Sequence, residues 1–117
     1  MPAPTPFEAA VRKQPRAAII DLHGEINAGA EERLGKAYAE AEAVDPELIL
    51  LNFADVSYIN STGIALIVGL LARARAARRR ITACGLSPHY QEIFTITRLA
   101  DFMPVFSDEA AALAGTA

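Results

Sequence analysis

The sequence predicts one α/β domain: a mostly parallel sheet of about four or five strands, an antiparallel strand at its edge, and about four helices. Three observations lead there. Strand-like and helix-like segments alternate along 117 residues, the pattern of parallel strands joined by helical crossovers. The run Leu48 to Phe53, LILLNF, is almost continuously apolar, as in a strand buried on both faces. The chain is long enough for one domain and too short for two ordinary ones, and 52% of its residues are hydrophobic, sufficient for a real core.

Taken in order, Met1 to Pro6, MPAPTP, is proline-rich and reads as a disordered leader before a domain at 7–114 and a tail at 115–117. Phe7 to Lys13 suits a short strand. Gln14-Pro15-Arg16 is a turn, because proline presets its own φ and restricts the residue before it. Ala17 to Leu22 is a second strand, broken by Gly24. The short turn makes the first strand the antiparallel edge. Ala28 to Val44 is helical: Leu34, Ala37, Tyr38 and Ala41 share one face, while Glu31, Glu32, Arg33, Lys36, Glu40 and Glu42 mostly face water. Pro46 lies just past its end.

After LILLNF, Asn60 or Ser61 starts the next helix, whose Ile64, Ile67, Val68 and Leu71 recur at i, i+3, i+4 and i+7. Arg73, Arg75, Arg78, Arg79 and Arg80 crowd its C-terminal part, where cations oppose the macrodipole favourably. Ile81 to Cys84 is a strand ended by Gly85. Ser87 caps a helix with Pro88 at its first position. That helix runs to about Thr97 and buries Ile93, Phe94 and either Ile96 or Leu99. Met103 to Phe106 is a last short strand. Ser107 caps a closing helix through Leu113, with Asp108 and Glu109 in its first turn.

Composition excludes several classes. A net charge of -3 and a pI of about 5.3 oppose a nucleic-acid partner, which calls for a basic balance. A single cysteine, Cys84, forms no intrachain disulfide and suits a core position. No secretory leader opens the chain, and no apolar run reaches membrane-span length. The expectation is a soluble cytoplasmic protein with no membrane partner. His23 and His89 lack a second ligand at metal-binding spacing, so no metal is expected. No G-x-x-x-x-G-K-S/T loop cradles a phosphate, and no cofactor is expected. The arginine run reads as a solvated helix face. Asp21, inside an apolar strand, faces solvent near an edge.

In open sheets of this kind, sites form at the carboxyl ends of strands. Two loops qualify, His23 to Ala28 and Ala54 to Ser61, and they are neighbours if their strands are. The second ends in Asn60-Ser61-Thr62-Gly63, which offers three side-chain caps where a helix start needs one. Two readings stand. In one the cluster only starts a helix, with Gly63 allowing close packing on the sheet. In the other a hydroxyl is regulated. A phosphate adds about -1.5 to -2 charges, which a helix N-terminus tolerates and a docked partner does not.

The stretch LILLNFADVSYINSTGIALIVGLL resembles the signature of STAS domains, in particular bacterial anti-sigma factor antagonists. There an aliphatic strand leads into a D-x-S/T-F/Y-x-D-S-S/T-G loop and a helix. IIDLHGEINA is similar to the family's strand followed by G-E-L/I-D. CGLSPHYQEIFTITRLADFMPVFSDEAAAL is similar to its C-terminal strand, S-P helix, and closing strand and helix. The likeness covers nearly all of the chain after the leader.

This resemblance implies partner switching. The unphosphorylated antagonist binds an anti-sigma factor that is also a serine kinase, which frees the sigma factor. Phosphorylation of the loop serine ends the complex, and a PP2C-type phosphatase reverses it. By position the phosphoacceptor is Ser61, with Thr62 second. The partner-binding set is His23, Gly24, Glu25, Asn27, Tyr58, Asn60, Ser61, Thr62 and Gly63. Two positions depart from the pattern: Asn60 and Asn27 stand where the family carries aspartates. Both remove a negative charge, which lessens repulsion of a phosphate on Ser61 and withdraws two attractive groups from a basic kinase surface.

Two other functions stay open on the sequence. One is a STAS scaffold that binds a sensor or transporter-like partner, or a small ligand, without phosphorylation; the paired asparagines favour it. The other is a serine hydrolase with Ser61 as nucleophile and His23 as base. The elbow G-x-S-x-G is absent around Ser61, and neither Glu25 nor Asp55 is clearly placed to orient His23.

Overall fold

The computed structural model describes residues 5–115. LILLNF occupies the middle of its sheet. The strands are β1 (Glu8–Gln14), β2 (Ala17–Ile26), β3 (Leu48–Ile59), β4 (Arg80–Cys84) and β5 (Val105–Phe106), side by side in chain order. β1 runs antiparallel to β2, and every other pairing is parallel. The helices are α1 (Glu31–Glu42), α2 (Ser61–Ala76), α3 (Pro88–Ile96) and α4 (Glu109–Ala114). None of the described helices is long and apolar enough to cross a membrane.

Period-two alternation sets the layers. Ala18, Ile20 and Leu22 of β2, with Ile49, Leu51 and Phe53 of β3, pack against Tyr38, Ile67, Leu70 and Phe94 from α1 to α3. Crossovers of one hand along a sequentially ordered sheet place all three helices on one face. On the other face Ile19, Leu50 and Cys84 lie beneath Ala112 of α4. The first half of β3 is thus buried on both sides, and each fully buried Leu, Ile or Phe contributes about 1.5–3 kcal/mol.

Several element boundaries differ from those the sequence predicts. Gly24 does not break β2. With φ at 90° it bends the strand between two register shifts, and β2 pairs with β3 through Ile26↔Ile59. β3 likewise continues to Ile59, so most of the expected loop Ala54 to Ser61 is strand. Ile26 and Ile59 close the two strands as buried residues, and before the latter comes the mostly exposed run Ala54 to Tyr58. The side chains of that run lose the apolar pattern while its backbone keeps pairing.

The segment Ala28–Ala30 is a 3-10 turn, and α1 ends at Glu42 rather than Val44. Asp108, not Ser107, caps α4 by accepting the Ala111 N–H at 2.8 Å. In α2 the buried stripe is Ile67, Leu70, Leu71 and Ala74, while Val68 is exposed. Leu99 is buried and Ile96 is exposed. Of the arginine run, only Arg73 and Arg75 belong to α2. Residues 1–4 of the expected leader and 116–117 of the expected tail lie outside the described residues. Thr5 and Pro6 lie along β2, where the Glu25 N–H donates to the Thr5 carbonyl at 3.2 Å.

Candidate functional site

The carboxyl ends of β2 and β3 meet at the start of α2. The Asn60 N–H donates to the Ile26 carbonyl at 3.2 Å. A Cβ on Gly63 would stand 2.1 Å from that same oxygen, so only glycine lets the first turn of α2 rest directly on β2. The two segments expected to adjoin therefore do so, as strand ends.

The surplus of hydroxyls resolves into a division of labour. Asn60 is extended (φ -93°, ψ -177°), and its Oδ1 accepts the Gly63 N–H at 2.8 Å. Its carbonyl takes the Ile64 N–H at 2.9 Å. Asn60 is thus the complete cap. Ser61 is the first helical residue and Thr62 the second, and both are exposed. Neither hydroxyl makes a hydrogen bond among the described residues, and no acidic side chain occupies this first turn. The N–H groups of Ser61 and Thr62 are the orphan donors of a helix start, at the positive end of the macrodipole. The helix accommodates added negative charge there and does not need the Ser61 oxygen to fold.

Asn27 repeats the device beside it. Its Oδ1 accepts the Gly29 N–H at 2.9 Å and caps the 3-10 turn. Both positions at which the sequence departs from the family aspartates are therefore neutral caps, with the oxygen kept and the charge removed.

The remaining predicted residues form the rim. Glu25 and Tyr58 are register partners, as are His23 and Asp55. Tyr58 is 52% exposed, a large apolar surface next to the Ser61 turn. Gly24 holds a conformation in which a Cβ would lie 2.3 Å from the Pro6 carbonyl oxygen. A shallow cleft of about 320 Å³ opens between Glu25, Asn27, Arg33 and the Thr5–Phe7 segment. His23 is exposed, and no hydrogen bond joins it to Ser61 among the described residues.

Two features were not legible in the sequence. Tyr90, buried in α3, accepts the Ile59 N–H on its phenolic oxygen at 2.8 Å. It fixes the last residue of β3, immediately before the Asn60 cap. Its spacing to Phe94 signals only a core face. On the other face of the sheet, Asp21 is not a bare edge carboxylate. It accepts from Arg12 at 2.5 and 2.9 Å and from Asn52 at 2.8 Å, and Arg12 also pairs with Glu109 of α4. The Arg12 hydrogen bonds, aided by Asn52, hold the Asp21 carboxyl below its ordinary range. Burial first, and then nearby carboxylates led by Glu109, push the Cys84 thiol up to about 11.

Comparison with known proteins agrees with this fold. The family model for the STAS domain matches residues 8–112. BtrV of Bordetella bronchiseptica, named as a candidate anti-sigma factor antagonist, is 26% identical over 96 residues, covering 82% of this chain and 83% of that protein. An anti-sigma factor antagonist from Mycobacterium paratuberculosis superimposes with a TM-score of 0.80 at 16% identity, over 98% of this chain and 97% of the other. The Bacillus cell fate determinant SpoIIAA, solved in its phosphorylated form, gives 0.70 at 22% identity, over 95% and 99%. At these identities the structural likeness shows a shared fold.

Proposed function

The chain belongs to the STAS domain family, and from that premise we propose that it is an anti-sigma factor antagonist that works by partner switching. Unphosphorylated, it binds an anti-sigma factor with serine kinase activity through the rim formed by His23, Gly24, Glu25, Asn27, Tyr58 and the Asn60 to Gly63 turn. Phosphorylation of Ser61 releases it, and a PP2C-type phosphatase restores the binding form. A sequence relative named as a candidate anti-sigma factor antagonist supports the antagonist part of this reading.

One observation carries the proposal: Asn60 does the capping, so the Ser61 hydroxyl is exposed and has no structural task. A phosphate there meets free N–H donors and the helix dipole, and the fold persists. The docking surface changes by about -1.5 to -2 charges. A partner lying over the turn must then leave that charge unpaired and partly desolvated, which costs several kcal/mol. The cap's neutrality helps, because no carboxylate adjoins the phosphate.

The test is to incubate the protein with its cognate anti-sigma factor kinase and ATP, locate any phosphate by mass spectrometry, and measure binding of Ser61→Ala and Ser61→Asp by calorimetry. A single phosphate on Ser61, binding by Ser61→Ala and loss of binding by Ser61→Asp are expected. Equal binding by both variants, with no phosphate incorporated, overturns the switch in favour of an unmodified scaffold.

A further inference from the structure

We propose a second binding site, at the opposite end of the parallel strands from Ser61, for a small organic oxyanion carrying an aromatic or short acyl group. It lies where the sheet edge stops early. β5 pairs only with Ala83 and Cys84. On that side the Ala83 N–H donates to the Pro104 carbonyl at 2.9 Å and the Gly85 N–H to the Phe106 carbonyl at 3.4 Å. In a parallel ladder every second residue presents its N–H and C=O to the same neighbour, so Ile81 presents its pair outward as well. Pro104 has no N–H to give the Ile81 carbonyl. No hydrogen bond joins Ile81 to the segment before β5 among the described residues.

The missing rung opens into a cavity of about 330 Å³ whose apolar walls include Leu71, Ile81, Phe102 and Phe106. Thr82 also lines the cavity, its side chain alternating to the α4 side of the strand, opposite Ile81. It is 4% exposed, and its hydroxyl has no hydrogen-bond partner among the described residues. Buried hydroxyls are nearly always partnered, so this one marks a place where a polar group from outside completes the set.

Arg75 and Arg79 line the cavity opposite one acid, Asp101. Asp101 is held by Arg98 at 2.8 Å, and Arg79 by Asp45 at 2.7 Å and the Pro46 carbonyl at 2.8 Å. Arg75 makes no ion pair among the described residues. Its guanidinium lies 4.9 Å from the centre of the exposed Phe102 ring, which leaves its N–H edge available. A guanidinium fork matches a carboxylate or a phosphate monoester, and the apolar walls accept the group that carries it.

Titration of the ¹⁵N-labelled protein with phenyl phosphate, and separately with benzoate, tests this without reference to Ser61 or to any partner protein. At least one of the two is expected to move the Ile81 and Thr82 amide resonances saturably, and which does so identifies the oxyanion. Arg75→Gln, an exposed change, is expected to weaken that binding roughly tenfold, the effect of one charge-assisted hydrogen bond. Thr82→Val is expected to weaken it too, while raising the melting temperature of the free protein. Silence of both resonances with both compounds overturns the site. So do equal shifts with inorganic phosphate alone, or unchanged affinity in a folded Arg75→Gln variant.

Discussion

Replacing Asn60 and Ser61 one at a time by alanine decides which of them starts α2. In the structure the Asn60 side chain alone satisfies the Gly63 N–H, at 2.8 Å. Removing an N-cap side chain costs about 1 kcal/mol, which in a domain of this size lowers the melting temperature by about 4 °C. Ser61→Ala removes an exposed hydroxyl with no partner and is expected to stay within about 0.5 kcal/mol of wild type. Asn60→Asp keeps the accepting oxygen and adds a charge at the positive end of the dipole, so it is expected to gain about 0.3–1 kcal/mol at low salt, shrinking as salt rises. Urea unfolding followed by circular dichroism reads all three as midpoint shifts at constant slope. If Ser61→Ala costs as much as Asn60→Ala, the hydroxyl is structural, and the division of labour that frees it for modification is wrong.

Gly63→Ala is expected to lose about 1–2 kcal/mol in the same assay: the helix-propensity gain of about 1 kcal/mol is outweighed because the new methyl meets backbone, at 2.1 Å from the Ile26 carbonyl oxygen and 2.8 Å from its carbon. Tyr90→Phe leaves the buried Ile59 N–H without its acceptor, with an expected cost of about 1–3 kcal/mol, and hydrogen exchange at Ile59 should accelerate more than at Leu50. Asp21 has a depressed carboxyl pKa in the fold, caused first by Arg12 and then by Asn52, against an ordinary value of 3.8. Its contribution is complete above that value and is lost as pH falls through the folded value. Acid unfolding of Asp21→Asn should therefore show a shallower decline below pH 3.8 than wild type, and parallel profiles would remove Asp21 from the account.

Legibility tracked how local the physics is. LILLNF announced a strand buried on both faces because helices cover one side and α4 the other. Ser87 followed by Pro88 announced a helix start because both requirements sit within adjacent residues, and the Tyr90 N–H does reach the Ser87 oxygen, at 3.4 Å. The ends of β2 and β3 were hidden. Ala54 to Tyr58 carry mostly exposed side chains, and only mutual pairing keeps them extended. In α2 almost every residue from Ile64 to Leu71 is apolar, so periodicity alone did not single out the buried stripe, and packing turned it to Ile67, Leu70, Leu71 and Ala74. At the candidate site the adjacency of the two segments was readable, but the roles within the Asn60 to Gly63 cluster were not. Two plausible caps one residue apart differ only in backbone angle, and Asn60 is the one that is extended.

That difference bears on how a domain of this size could carry the proposed switch without endangering itself. Modification at a capping residue would destroy the hydrogen bond that starts α2, and the penalty would spread through Gly63 into β2, which it touches. Under the proposed switch, placing the modified hydroxyl one residue later would separate recognition from stability. The cap stays intact beside a changed surface, and Tyr90 anchors the strand that delivers it. A neutral cap extends the separation. A carboxylate at residue 60 would stabilise the unmodified helix, yet it would repel a phosphate on its neighbour by about 1–1.5 kcal/mol even in water-like surroundings about 6 Å away. Asn60 forgoes the first effect and avoids the second, so under the proposed switch the free energy of a phosphate on Ser61 would be expressed in the choice of partner rather than in the stability of the fold.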